Sequence, residues 1–152
     1  MKTNIEVNNI TSNFVQISFI KSVVKKTFSS LNYGFLKNKN IIISIAIVTP
    51  KEIRKLNKKY RKRDEVTDIL SFSEYKNIEK IKRTIKEKSD AELFLGELIL
   101  CYDYIRKYVR MNNLNLNMEL SDVLSHGILH ILGFRHGIKM FTIQNKIKDN
   151  FK

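Results

Sequence analysis

Ile41-Ile-Ile-Ser-Ile-Ala-Ile-Val48, followed at once by Thr49-Pro50-Lys-Glu52-Ile53, changes character within two residues. The first run is β-branched almost throughout, which suits a strand buried on both faces. Thr49 then offers an N-cap oxygen, Pro50 fits the first helical position, and Glu52 falls in the first turn. Ile53, Leu56 and Tyr60 supply the new segment with an apolar stripe at helical spacing. A strand that passes directly into a helix is the repeating unit of an α/β or α+β domain.

The same reading extends outward. Upstream, Val15, Phe19, Val23 and Thr27-Phe28 predict a helix from Val15 to Leu31 that stops before Gly34, and Asn4–Val7 predicts a short first strand. Downstream, Ile69–Phe72 and Leu93–Leu100 read as a hairpin-like pair of strands. The charged stretch between them, Lys76–Asp90, is too polar for the core and reads as a mobile insertion or an exposed helix. Tyr102–Met111, Met118–Leu132 and the weaker Ile138–Ile147 read as helices. No repeat or Pro- or Ser-rich linker divides the chain. The expectation is one domain over residues 1–152, with a small mixed sheet flanked by helices.

Composition narrows the function. A hydrophobic fraction of 43% suits a globular core. One cysteine, Cys101, excludes an internal disulfide and a cysteine-only metal cage. The polar MKTNIEVNN start lacks the apolar centre of a signal peptide, and the longest strongly apolar run falls well short of the about 20 residues a spanning helix needs. The expected location is the cytoplasm, away from membranes. The balance of 28 basic against 15 acidic residues gives a formal +13, a field that attracts polyanions, nucleic acid foremost. Lysine, asparagine and isoleucine are abundant together, as in chains from AT-rich genomes, so where the charge lies says more than its total.

All three histidines fall in His126-Gly-Ile-Leu-His130-Ile-Leu-Gly133-Phe-Arg-His136. Helical positions i and i+4 differ by about 40° and about 6 Å of rise, so His126 and His130 leave one face together. Gly133 is suited to the left-handed turn that ends a helix, after which a loop can return His136. Three protein ligands leave a fourth tetrahedral position open, the arrangement of catalytic zinc. Ordinary core histidines would lie unpartnered among Ile128, Leu129, Ile131 and Leu132, an expensive placement. One zinc per chain, on a metal site at the end of a central helix, is therefore expected. The spacing coincides with that of the metzincin peptidases, but those enzymes need Glu at the position of Gly127 as general base. Glycine carries no group to move a proton, so peptidase chemistry by that route is excluded.

A second constellation, Lys51–Arg63, has eight basic residues and one acidic in thirteen, and leads into Thr67-Asp-Ile-Leu-Ser-Phe72. Arg61 follows the last apolar helical position, and its guanidinium matches phosphate bidentately. Leu56-Asn57 with Tyr60-Arg61, then Thr67–Phe72, then Leu95-Gly96-Glu97, then His126–His136 stand in the order of a known pattern. Together they resemble the YbeY family of bacterial metal-dependent endoribonucleases, over roughly residues 41 to 145. That resemblance implies an α/β fold, zinc on the three histidines, and a role in ribosomal RNA maturation and ribosome quality control. It also implies a functionally important arginine, which maps to Arg61. One departure is Arg135, where the family usually has Asp. Beside a dication Arg135 would be repelled, so it either turns outward or toward the RNA backbone, or weakens activity. The terminal helix also lacks the acidic residues common in the family.

The mechanism expected is metal-assisted cleavage of a phosphodiester in single-stranded RNA, with Arg61 as the catalytic arginine that holds the phosphate and stabilises its charge. Arg54, Lys58, Lys59, Arg61, Lys62 and Arg63 would bind the nucleic acid. No general base is identifiable; Glu97 is a candidate polar neighbour. The alternative is a non-catalytic ribosome- or RNA-binding factor whose metal only braces a helix end.

Overall fold

Isoleucines 41, 43, 45 and 47 have no exposed surface, whereas Ile42, Ser44 and Ala46 between them are half-buried. The β-branched run is thus a strand with one dry face and one partly covered face. The structure is a computed structural model and describes residues 1–88 and 92–152. Along the chain it contains β1 (Lys2–Asn9), α1 (Ile17–Leu31), β2 (Asn40–Ile47), α2 (Pro50–Arg61) and β3 (Ile69–Ser73), with a short 3₁₀ turn at Gly34–Leu36. Then follow α3 (Ile78–Glu87), β4 (Leu93–Leu100), α4 (Tyr102–Asn112), α5 (Leu116–Ile131) and α6 (Ile138–Asp149).

The strands form one mixed sheet in the order β1-β2-β4-β3. β1, β2 and β4 run parallel, and β3 pairs antiparallel with β4, Ile69 opposite Leu100. This is the α/β architecture the sequence predicts, including the hairpin-like pairing of the last two strands. The dry face carries Ile41, Ile43, Ile45, Leu98 and Leu100 into the main core, with α1 and α5 packed over it. The opposite face has a smaller cluster around Val48, Leu70, Ile99 and Cys101, roofed by Ile53 and Leu56 of α2. One twelve-residue helix cannot cover the whole face, which is why β2 is dry on one side only.

α2 starts as expected, the Thr49 hydroxyl accepting from the Glu52 amide at 3.3 Å. The charged stretch after β3 departs from expectation. It forms α3, capped by Asn77 accepting from the Lys80 amide at 3.0 Å, and Ile81 is fully buried in the main core with Ile78 and Ile85 packed beside it. Those three isoleucines at helical spacing are enough to dock an otherwise charged helix. Ser89 and Asp90 of that stretch lie outside the described residues.

α5 is the centre of the helical layer, touching α1, α4, α6, β3 and β4. Its buried hydroxyls, Ser121 and Ser125, donate to the carbonyls of Met118 and Asp122, which satisfies them within their own helix. Among the described residues no helix is long and apolar enough to cross a membrane.

The register between β2 and β4 slips between Ile42 and Ile43, a bulge that brings Gly96 opposite Ile43. Gly96 has φ +152°, and a Cβ there would run into the Phe72 carbonyl oxygen of β3. Gly96→Ala should therefore cost about 1–3 kcal/mol or more in urea denaturation. Gly34→Ala, where open space surrounds the position, should stay near wild type. Equal stability of the two variants would contradict the close approach at Gly96.

Candidate metal centre and cleft

His126 and His130 leave the outer edge of α5 half-buried. Gly133 then turns the chain with φ +87°, its amide donating to the His130 carbonyl and the Phe134 amide to Leu129, both at 2.9 Å. This is the stop expected of glycine, and the Asn77 end of α3 packs against it. The reversed chain brings His136 back. The Nε2 atoms of His126, His130 and His136 stand 2.9, 3.0 and 3.3 Å from one another.

Those contacts are not a stable set of hydrogen bonds. His130 Nδ1 lies 3.1 Å from the Phe134 carbonyl oxygen, which can only accept, so Nδ1 carries the proton and Nε2 the lone pair. His126 Nδ1 lies 3.3 Å from Gln144 Oε1. The Gln144 amide is oriented by Asp122, whose carboxylate and carbonyl accept from Gln144 Nε2 at 3.3 and 3.4 Å. His126 therefore also donates through Nδ1. At least two neutral imidazoles thus aim lone pairs at one point, an arrangement that a cation held between them would satisfy. Nitrogens about 2.0–2.1 Å from a tetrahedral zinc stand about 3.3 Å apart, close to the spacing found. The donor set fits a metal ion, and the three histidines could hold one together.

Burial, with the charges of His126, His136 and Arg61, holds His130 below the ordinary imidazole pKa, the Phe134 bond only partly opposing this. The neutral form that a metal needs is thereby favoured. Asp122 is pushed above the usual carboxylate range by burial, with Lys148 pulling the other way.

The histidines form one wall of a cleft of about 640 Å³ whose other wall carries Arg61, Arg63, Asp68 and Ser71. Arg61 stands there because α2 ends beside β3: its Nη2 donates to the Ser71 carbonyl at 2.6 Å and its guanidinium lies 5.1 Å from the centre of the Phe72 ring. Asn57, buried one turn earlier, holds the intervening loop by donating to the Glu65 carbonyl at 3.0 Å.

The remaining basic candidates are arranged differently. Arg54 and Lys58 engage Asp64 at 2.9 and 3.8 Å. Arg63 lines the cleft but pairs with Glu65 at 3.8 Å. Lys59 lies over the Tyr60 ring and Lys62 forms the left-handed cap of α2; neither lines the cleft. Glu97 lies opposite Phe72 on β4, and strand alternation puts it on the α2 face of the sheet, away from α5. Arg135 is exposed and does not line the cleft. Gly127 packs against Leu98 and Ile69, and a side chain there would collide with both. A glutamate at that position would enter the core.

The sequence reading missed Asp122 and Gln144. Asp122 was within reach, since 122, 126 and 130 share one helical face. Gln144 gave no local signal, because its role exists only once α6 has packed on α5.

A profile of the family described as Endoribonuclease YbeY matches residues 4–152. The chain belongs to the YbeY family. Among curated relatives named Endoribonuclease YbeY, the one from Sulfurihydrogenibium sp. is 32% identical, covering 97% of this chain and 92% of its own. The one from Thermodesulfovibrio yellowstonii is also 32% identical, over 90% and 82%. A solution structure of a Thermotoga maritima protein covers 97% of the chain at a TM-score of 0.62 and 21% identity, a likeness of fold. YbeY membership thus reaches beyond the motifs between residues 41 and 145 to nearly the whole chain.

If the histidines act as a set, His130→Ala should bind almost no zinc by elemental analysis. Gln144→Met, which keeps the length but loses the acceptor for His126, should keep the stoichiometry and bind about 10–100-fold more weakly in competition with a chromophoric chelator. Full metal content in His130→Ala would defeat the assignment.

Proposed function

We propose that this chain is a single-strand-specific endoribonuclease with one zinc on His126, His130 and His136. It would act as a single metallohydrolase domain over residues 1–152, in ribosomal RNA maturation and ribosome quality control in the cytoplasm. The observation that carries the reading is that Arg61 and the three histidines line one cleft. Family membership supports the RNA substrate, and the motif resemblance supports the ribosomal role.

When bound, zinc supplies Lewis acidity and the activation of water at neutral pH. The chain's own residues do the rest. Arg61 is anchored by one nitrogen on Ser71 and has no carboxylate partner among the described residues, so its other donors are available to a phosphate. Guanidinium stays charged throughout the working range and offsets charge that accumulates on the phosphoryl oxygens. Hydrolysis adds water across the P–O bond, one fragment leaving with a phosphate end and the other with a hydroxyl. Arg54, Lys58, Lys59, Lys62 and Arg63 form the basic approach to the cleft; those held by Asp64 and Glu65 contribute through the field more than through contact. Arg135 is exposed and does not line the cleft, so it lends little support to the alternative of a mere binder.

Single-turnover cleavage at saturating protein tests the catalytic role. Arg61→Ala should lower the rate about 10²–10³-fold with zinc content intact, and Arg61→Lys should restore only part, since an ammonium cannot reproduce the guanidinium fork. A wild-type rate for Arg61→Ala would reduce Arg61 to a docking contact. Absence of chelator-sensitive cleavage by the wild type on any RNA would favour the binding factor.

Salt dependence tests the basic approach separately. Each phosphate contact on a single strand contributes about 0.7 to the slope of log affinity against log salt. Replacing Lys59 and Lys62 with alanine should flatten that slope, and an unchanged slope would return both to a solvated surface.

A further inference from the structure

Two further cavities continue from the histidine cleft toward α4. The first, about 270 Å³, shares Asp68, Asp122 and Val123 with the cleft and is walled by Tyr104 and Tyr108. The second, about 560 Å³, lies on the far side of the same tyrosines, against Pro50, Val66 and Met111. Tyr104 and Tyr108 are therefore a ridge between two hollows of one trench that opens at the metal centre.

Their exposure has no structural motive. Tyr104, Tyr108 and Met111 are 40%, 47% and 74% exposed on one face of α4, while that helix docks through Ile105. Scattered apolar residues on a surface are ordinary, but a contiguous set beside a cleft marks a contact surface. Lys107 and Arg110 alternate with the tyrosines, are exposed, and have no carboxylate partner among the described residues. Aromatic rings interleaved with cations are the pattern by which proteins hold single strands without reading sequence.

The floor of the first hollow fixes how a strand would lie. Asp68, Glu119 and Asp122 line it, with Lys148 held by Glu119 at 2.9 Å and Asp122 at 3.8 Å. Carboxylates repel phosphate but accept from the amino and imino edges of bases. A strand in the trench must turn its bases inward and its backbone out.

We propose that single-stranded RNA leaving the histidine cleft continues along α4, its bases stacked on both sides of the Tyr104–Tyr108 ridge and its phosphates outward beside Lys107 and Arg110. This rests on the reading of the cleft as an RNA site. It adds that binding strength depends on nucleotides beyond the cleaved bond, through stacking rather than base identity.

The test uses the zinc-loaded full chain and a non-cleavable 2′-O-methyl single strand, followed by fluorescence anisotropy. One probe has about 12 nucleotides and the other only about two, so that it can fill the cleft with little left over for the ridge. In the double variant Tyr104→Ala, Tyr108→Ala, the Kd of the long probe should rise about 10–100-fold while that of the short probe changes less than about twofold. The double phenylalanine variant should remain within about threefold of wild type, because stacking needs the ring and not the hydroxyl. An unchanged Kd for the long probe overturns the proposal, as does a phenylalanine variant as weak as the alanine one. A concentration-dependent dimer of the wild type, lost in the alanine variant whose RNA affinity is intact, assigns the trench to a second copy of the chain instead. Cleavage is read separately: failure of the wild type to cut RNA sinks the enzymatic reading while the Kd comparison still decides the trench.

Discussion

The structure depends on one helix being buried on nearly every side except a narrow rim. α5 lies against the sheet at Gly127, where the methyl ends of Leu98 and Ile69 crowd the space a Cβ would take, and against α1, α4 and α6 around the rest. Beyond its first turn, a helix so enclosed shows its polar side chains along the line where Asp122, His126 and His130 emerge. Enclosure also removes their freedom. Each histidine is held through its Nδ1 proton, one by Phe134 and the other by Gln144, so the lone pairs are aimed before any ligand arrives. In an empty site that convergence is unfavourable, and a metal ion turns it into binding free energy without reorganisation.

The opposite wall of the cleft follows from a separate constraint, the ending of α2. Thr49 sets where the helix begins and Asn57 holds the loop that leaves it. Between them the helix delivers Arg61 to the edge of β3, where the Ser71 carbonyl and the Phe72 ring hold its guanidinium. β3 is an edge strand of the sheet, so the carbonyls on its outer side are free to serve a side chain instead of a neighbouring strand. The histidine wall and the Arg61 wall of the cleft are therefore built by different elements. They meet because β3 contacts both α2 and α5.

Much of this was legible along the chain, because the signals were local. The switch from β-branched run to Thr-Pro cap placed β2 and α2, and the four- and ten-residue histidine spacing with Gly133 brought together the three histidines that could hold a metal. What stayed hidden is tertiary. The degree of burial of β2 depends on how far α2 reaches across the sheet, which no pattern within β2 records. The docking of α3 rests on Ile78, Ile81 and Ile85 beneath a majority of charged residues, so average polarity misjudged it. Gln144 matters only because α6 lies beside α5. Gly127 was read as lost chemistry and is also a packing requirement, since the same missing side chain lets the helix approach the sheet.

The charge of +13 and the carboxylates inside the trench look contradictory until range is considered. A net field acts over about a Debye length and raises the encounter rate of any polyanion. Carboxylates act at contact distance and in a confined space, where they decide which part of the polymer is admitted. Near the histidines Arg61 and Arg63 face the cleft, so a phosphate is welcome there. One step away, Asp68 and Asp122 stand where the cleft meets the first hollow, and their carboxylates would repel a phosphate. On the proposed path, a strand drawn in by the global charge would be sorted by the local one, its phosphate presented to the histidine wall and its next bases turned toward the tyrosines. Attraction and orientation come from different residues, so lysines can drift across the outer surface without disturbing the geometry at the cleft.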